Sequence, residues 1–229
     1  MTSPELSIII PAYNEEALIV STLDGLDSYL SARPETYEII VVDDGSGDKT
    51  SRCIQDWKET NRADLHLLIN ERNMGKGFSI RRAVMASRGR FIIFIDADLP
   101  YELHAIDDFL RALRSGHDLA IGSRVLPGSQ VKGVPILRYI SGQIFSWMVL
   151  AGLVQGLPDS QCGFKSFRSA AAREIFRRLT ISEFGFDVEM LFVARKLKLD
   201  IQPVPVQMID HRHRSRAGRD LSLLDRGHA

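Results

Sequence analysis

Asp96-Ala97-Asp98 follows the purely apolar run Phe91–Ile95. Two carboxylates separated by one small residue can close on a single hard cation. Mg²⁺ and Mn²⁺ favour such oxygen ligands and commonly keep substrate phosphates as further ligands. A cation on Asp96 and Asp98 would neutralise a pyrophosphate and stabilise a departing nucleoside diphosphate. The plainer alternative is a solvated turn whose aspartates cap a helix. Asp43-Asp44-Gly45-Ser46 ends a second apolar run. Asp43 there is placed to accept from a nucleobase or ribose. The same four residues also suit a turn, with Asp48 capping the next helix.

Five more positions carry potential chemistry. In Pro11-Ala12-Tyr13-Asn14-Glu15-Glu16, Tyr13 is a candidate for stacking on a base, Asn14 for a helix cap, and Glu15 for complementing the helix dipole. In Gly75-Lys76-Gly77, the glycines permit close backbone approach and Lys76 suits a phosphate, although the spacing is not that of a Walker loop. Arg124, after Gly122-Ser123, offers the planar donor fork that recognises phosphate. Arg138 opens an apolar stretch where a lipid phosphate at a membrane surface would fit it. Asp187 lies among aromatics in Phe184–Glu189, as a general base or a helix cap. His211 and His213 sit in a basic tail without partners at metal-ligand spacing and read as exposed.

The elements that position these residues follow from hydrophobic patterning. Leu6–Ile10, Glu38–Val42, Leu65–Ile69, Phe91–Ile95 and Leu119–Ile121 read as strands covered on both faces. Helical patterns lie between them at about Glu15–Leu30, Lys49–Arg62, Lys76–Ala86 and Tyr101–Ser115. Such alternation predicts an α/β, Rossmann-like, mostly parallel sheet flanked by helices. Ligands bind off the carboxyl ends of such strands, where all the motifs above fall. Further on, Leu137–Leu157 reads as an apolar helix or helix pair, Cys162–Phe167 as a strand, and Ala170–Leu179 and Asp187–Lys198 as helices. Ile201–Gln207 alternates like a strand, but Pro203 and Pro205 confine it to an edge. One domain over residues 1–209 and a basic flexible tail over 210–229 complete the expected organisation.

Bulk properties narrow the function classes. Lys plus Arg and Asp plus Glu both number 29, and the absence of a basic excess argues against nucleic acid. Two distant cysteines, Cys53 and Cys162, form no metal spacing or disulfide framework, so a reducing compartment is the default. No signal peptide is read at the N-terminus. The apolar stretch Val134–Leu157 is broken by Arg138, Ser141, Gln143 and Ser146, which suits a buried or membrane-surface helix better than a span.

Taken in order, these motifs resemble the family 2 glycosyltransferases of the GT-A fold, from about Ser7 to Gln207. The subgroup is similar to the polyprenyl- and dolichyl-phosphate sugar transferases. Within it, Asp159-Ser160-Gln161-Cys162-Gly163-Phe164-Lys165 looks most like the glucosyltransferase branch and less like the mannosyltransferase branch. The resemblance implies that Pro11, Tyr13, Glu15, Val41 and Asp43 hold the nucleoside. It implies that Asp96, Ala97 and Asp98 form the metal and diphosphate site, and that Arg124 contacts phosphate. Arg138 and Lys165 would meet the acceptor phosphate, and a loop including Ser215 to Arg219 would close over the nucleotide. The expected reaction is inverting hexosyl transfer from a nucleotide-sugar, UDP-glucose first, to a polyprenyl phosphate. Catalysis would fall to Asp98 and Arg124, with Asp187 as base for a hydroxyl acceptor. The expected setting is cytoplasmic, or peripheral at the cytoplasmic membrane face. Alternatives are a GDP-mannose donor, a saccharide acceptor, or a nucleotide-sugar-binding module without turnover. A sugar-phosphate nucleotidyltransferase would carry a Gly-rich, Arg-containing loop after the first strand, and Pro11–Glu16 is not one.

Overall fold

The computed structural model describes residues 3–61, 63–132, 157–159, 162–183 and 185–209. Its strands are β1 (Leu6–Ala12), β2 (Tyr37–Asp43), β3 (Leu65–Ile69), β4 (Phe91–Phe94), β5 (Leu119–Ser123), β6 (Gln130–Lys132), β7 (Lys165–Arg168), β8 (Ile201–Pro205) and β9 (Gln207–Ile209). The helices are α1 (Ile19–Ser31), α2 (Thr50–Thr60), α3 (Lys76–Ala86), α4 (Ala105–Arg114), α5 (Ser169–Phe176) and α6 (Phe186–Lys196). Seven strands form one sheet in the order β3-β2-β1-β4-β7-β5-β8, and β6 pairs with β9 in a small second sheet.

Period-two alternation divides the core. Ile8, Ile10, Ile39, Val41 and Ile93 face the layer of α1, α2 and α4, including Leu23, Trp57 and Phe109. Ile9, Ile40, Val42, Ile92 and Phe94 face the layer of α3, α5 and α6, including Ile80, Phe176 and Phe186. Both strand faces are therefore buried, which is why these strands read as unbroken apolar runs. The pairs β1–β2, β2–β3 and β1–β4 are parallel, whereas β7 runs antiparallel to both β4 and β5. From β1 the chain builds first toward β2 and β3 and later toward β4. That reversal opens a crevice at the carboxyl ends of β1 and β4, where Tyr13 and Asp96 emerge.

Several element boundaries differ from the sequence reading. The first helix starts at Ile19 rather than Glu15, and Asn14 does not cap it. Asn14 instead adopts φ 55°, a conformation Asn tolerates better than most residues. Its Oδ1 accepts from Gly47 N at 2.9 Å, and its own N–H donates to Ser46 Oγ at 2.9 Å. The helix expected from Tyr101 starts at Ala105, because Tyr101 forms a bridge with Met208. The strand expected from Cys162 begins only at Lys165. β8 takes the edge position that its prolines require, pairing only with β5. The apolar stretch up to residue 156, Arg138 within it, and the tail 210–229 lie outside the described residues.

The amino-terminal rim of the sheet holds a separate polar network. Glu38, 1% exposed, accepts from Ser7 Oγ at 2.6 Å, Arg88 N at 2.6 Å and Arg88 Nε at 2.8 Å. Glu38, Asp64 and His66 bring possible metal-ligating atoms within 4.8 Å of one another. The Arg88 guanidinium already occupies that cluster, with Nη2 at 2.7 Å from Asp64 Oδ2 and 3.1 Å from His66 Nε2. It therefore ties β1, β2 and β3 together at the end remote from the crevice. Glu38→Ala strands the Ser7 hydroxyl and the Arg88 backbone N–H, and should cost about 2 kcal/mol of unfolding free energy in urea denaturation. Ligand binding at the opposite rim should not change. Unchanged stability would show that water replaces the carboxylate without loss.

Candidate active site

Asp96 leaves β4 into the crevice with its side chain 27% exposed. The turn carrying it is fixed from three directions. Ile95 N donates to Ile9 O at 3.0 Å, Leu99 N to Asp96 O at 3.1 Å, and Thr22 Oγ1 of α1 to Ala97 O at 2.5 Å. Ala97 is buried, so it acts through its backbone. Gly163 lies against the carboxylate itself: a Cβ there would stand 2.2 Å from Asp96 Oδ2. Gly163 N in turn donates to Tyr101 Oη at 3.1 Å. The Tyr101 ring stacks on Phe164 with centroids 5.6 Å apart.

Opposite Asp96 stands Lys76, whose Nζ is 2.5 Å from Asp96 Oδ1. Burial opposes the charged ammonium, but the carboxylates of Asp96, Asp187 and Asp98 outweigh it and hold the Lys76 pKa above its ordinary value. Three aspartates from the ends of β4 and the start of α6 therefore act on one cation. The donor set is hard oxygen, and the pocket already attracts a positive group. Asp96 and Asp98 thus fit a divalent ion of the Mg²⁺ or Mn²⁺ type, with a diphosphate completing its shell.

The start of α3 differs from the expected phosphate cradle. Gly77 N and Phe78 N donate to Ser182 O at 2.7 and 3.2 Å. The close approach that Gly77 permits is to Phe186, whose Cβ would be 2.7 Å from an added methyl. These glycines thus serve packing, and Lys76 alone carries the reading toward phosphate. Gly75 has φ 94° and is held by Asp44, a residue not singled out from sequence. Asp44 accepts from Met74 N at 2.9 Å, Gly75 N at 2.9 Å and Asn70 Nδ2 at 2.6 Å.

Asp43, at the end of β2, is 1% exposed. It accepts from Ser46 N at 3.0 Å and from the Ser51 hydroxyl, so the turn reading holds. A nucleobase N–H would share these oxygens or displace Ser51. Tyr13 is 47% exposed beside this turn, open for stacking. Glu15 N donates to Thr50 Oγ1 at 2.8 Å and is tied to α2. Pro11 is half-buried in β1. The Val41 side chain is wholly in the core, which leaves only its backbone for any ligand.

Two ion pairs lie beyond Asp96. Arg124 Nε and Nη2 grip Asp159 Oδ2 and Oδ1 at 2.7 and 2.9 Å, and Arg124 N adds a third bond at 3.1 Å. Burial works against this guanidinium, but Asp159 more than compensates and its pKa rises. Lys165, expected to face an acceptor phosphate, is instead 0% exposed. Its Nζ donates to Asp187 Oδ1 at 2.7 Å and Cys162 O at 2.5 Å, and lies 5.5 Å from the Phe94 ring centroid. In this structure it positions Asp187 rather than meeting solvent. Asp187 sits in the first turn of α6, where Gly185 is the cap residue. Nearby, burial and the Asp159 charge push the Cys162 thiol up to about 11. Asp159 entered the sequence reading only as the first residue of the segment Asp159–Lys165 that carries the branch resemblance, with no role of its own. Nothing in the sequence marked Ser182.

Comparison with known proteins places these features in context. The model of Glycosyl transferase family 2 matches residues 7–176. A dolichyl-phosphate beta-glucosyltransferase of Dictyostelium discoideum is 36% identical over 88% of this chain and 65% of its own length. The Homo sapiens enzyme of that name is 33% identical, over 88% and 66%. The chain thus spans about two thirds of the length of the curated relatives it matches. Among solved structures, glucosyl-3-phosphoglycerate synthase of Mycobacterium tuberculosis with Mn²⁺ and UDP-glucose aligns at TM-score 0.67 and 21% identity, over 91% of this chain and 71% of that one. That likeness establishes the GT-A architecture of the sheet.

Removing the Arg124 partner provides a direct check on the site's framework. Asp159→Ala leaves a largely buried guanidinium uncompensated and should lower unfolding free energy by about 3 kcal/mol in urea titration. A loss below about 1 kcal/mol would mean that solvent screens Arg124 as at an exposed pair.

Proposed function

This chain belongs to glycosyl transferase family 2, and from that premise we propose that it moves glucose from UDP-glucose to dolichyl phosphate or a related polyprenyl phosphate. The observation that carries this reading is the convergence of Asp96, Asp98 and Lys76 at the switch-point crevice. The relatives named as dolichyl-phosphate beta-glucosyltransferases support the sugar and the acceptor. The UDP and Mn²⁺ in the aligned solved structures support the donor and the metal.

In the proposed reaction an acceptor phosphate oxygen attacks the anomeric carbon from the face opposite the nucleotide. A new C–O bond forms, the bond to the β-phosphate oxygen breaks, and UDP leaves with the electron pair. Configuration inverts. A phosphate monoester is already anionic near neutral pH, so the protein must position it rather than deprotonate it. Asp96 and Asp98 would hold the divalent ion, which when bound offsets charge on the diphosphate. Lys76 would reach the diphosphate across the crevice, and Arg124, whose guanidinium is paired with Asp159, would meet phosphate only through its remaining N–H donors. Tyr13 would stack on the base, and Asp43 with the backbone of Pro11, Glu15 and Val41 would frame the nucleoside. Asp187, held by Lys165, would orient groups at the acceptor side. No helix among the described residues is long and apolar enough to cross a membrane. For the lipid acceptor, the proposed contact region at the membrane surface is Arg138 and the apolar stretch around it.

The test is a transfer assay with dolichyl-phosphate vesicles, Mg²⁺ or Mn²⁺, and labelled UDP-glucose or GDP-mannose in parallel. Lipid-extractable label should come from UDP-glucose and vanish with chelator. Asp98→Ala should lower transfer at least 100-fold, an effect on the order of losing one preorganised electrostatic contact. Gly163→Ala, which drives a methyl into Asp96, should lower it roughly tenfold, about 1.4 kcal/mol. Label from GDP-mannose would overturn the donor. No lipid label from either donor would overturn the acceptor.

A further inference from the structure

Lys76 already engages the carboxylate proposed for a divalent ion. Asp96 Oδ1 is engaged by the Lys76 ammonium at 2.5 Å, and that ammonium feels Asp187 and Asp98 as well. The Lys76 side chain is 20% exposed, so the contact is shielded from bulk water. Two cations at one carboxylate in such a setting repel each other. The Lys76 backbone cannot yield: Asp44 holds Met74 N and Gly75 N, and Ser182 O holds Gly77 N and Phe78 N. Only the flexible four-carbon stem is able to swing. A nucleoside diphosphate entering the crevice offers the ammonium a doubly charged partner within that swing. Lys165 cannot take over the task, because it is wholly buried and paired with Asp187.

We propose that Lys76 is an internal counterion that competes with divalent metal for Asp96 until a nucleoside diphosphate draws the ammonium away. Metal and nucleotide then bind with positive coupling, and the empty site holds metal poorly. This rests on the reading of Asp96 and Asp98 as metal carboxylates. Linkage makes the coupling reciprocal: UDP tightens Mn²⁺ by the factor with which Mn²⁺ tightens UDP.

The experiment titrates Mn²⁺ alone, UDP alone and each in the presence of the other into the full chain. Free Mn²⁺ is read by electron paramagnetic resonance and heats by calorimetry. In the parent chain, saturating UDP should tighten Mn²⁺ binding at least tenfold. Lys76→Met should tighten binding of Mn²⁺ alone roughly tenfold, as loss of a cation beside the carboxylates requires. It should also shrink the coupling. Lys76→Arg should keep the parent pattern. A purely structural role for Lys76 would weaken Mn²⁺ binding instead. The proposal is overturned if Lys76→Met, folded by circular dichroism, binds Mn²⁺ alone no more tightly than the parent. Lys76→Gln serves as a second neutral variant should Lys76→Met fail to fold. Asp98→Asn separates the two layers. Unchanged Mn²⁺ affinity in that variant overturns the metal reading itself, whatever Lys76 does.

Discussion

The contact between Lys76 and Asp96 is possible only because α3 begins at one fixed place relative to the end of β4. Asp96 belongs to the turn after β4, and Lys76 to a helix that follows β3 on the far side of the sheet order. Their meeting is set by backbone anchors, since Ser182 takes the first free N–H groups of α3 and Asp44 holds the residues just before it. Helix starts leave several N–H groups unpaired, and a charged ligand often takes them. Here the protein spends those groups on its own carbonyl and leaves one mobile ammonium to face the crevice. Under the proposed reading, the phosphate contact expected of the loop falls to the Lys76 side chain alone.

Two further pairs extend the same logic away from Asp96. Arg124 with Asp159 and Lys165 with Asp187 each join a cation near the end or middle of the sheet to an acid from another segment. Both acids are nearly buried. A buried charge without a partner is expensive, and a buried pair adds little net stability. Such pairs are better understood as fixing geometry. Asp187 is held in the first turn of α6, facing Lys76 across the pocket, and Arg124 is held beside Tyr101 and Cys162. Tyr101 then supports Gly163, and Gly163 leaves room for the Asp96 carboxylate. The acid that would meet a metal is thus positioned by residues spread from Thr22 to Ser182.

How much of this was legible in the sequence depended on distance along the chain. Leu6–Ile10, Glu38–Val42 and Phe91–Ile95 announced themselves because both faces of their strands are buried. The acidic turns that follow them marked the carboxyl rim. Asn14 misled because its local pattern suits a helix cap, whereas a loop 33 residues away takes its side chain. Tyr101 misled in the same manner, since the bridge to Met208 lies far downstream. Lys165 was expected, from the family resemblance alone, to meet an acceptor phosphate. Its burial follows from β7 lying between β4 and β5, antiparallel to both. No short-range pattern encodes that insertion, which depends on how the sheet closes around it.

The antiparallel insertion also explains why the rim beside β1, β2 and β4 is easier to read than the part around β7. On the first side, each candidate residue lies at or beyond the end of its own strand in sequence, so local order and spatial order agree. Tyr13, Asp43, Lys76 and Asp96 belong in this way to β1, β2, β3 and β4 in turn. Around β7, the strand enters against the direction of its neighbours, and the residues just before it arrive at the same rim that the other strands reach at their ends. Gly163 and Asp159 come to the crevice by that route, as the amino-terminal approach to β7. A parallel strand at this position would deliver its carboxyl-terminal residues there, and Asp96 would lose the glycine that makes space for it. One reversed strand therefore brings a second polypeptide segment to the Asp96 carboxylate from the opposite chain direction, with Gly163 lying against it.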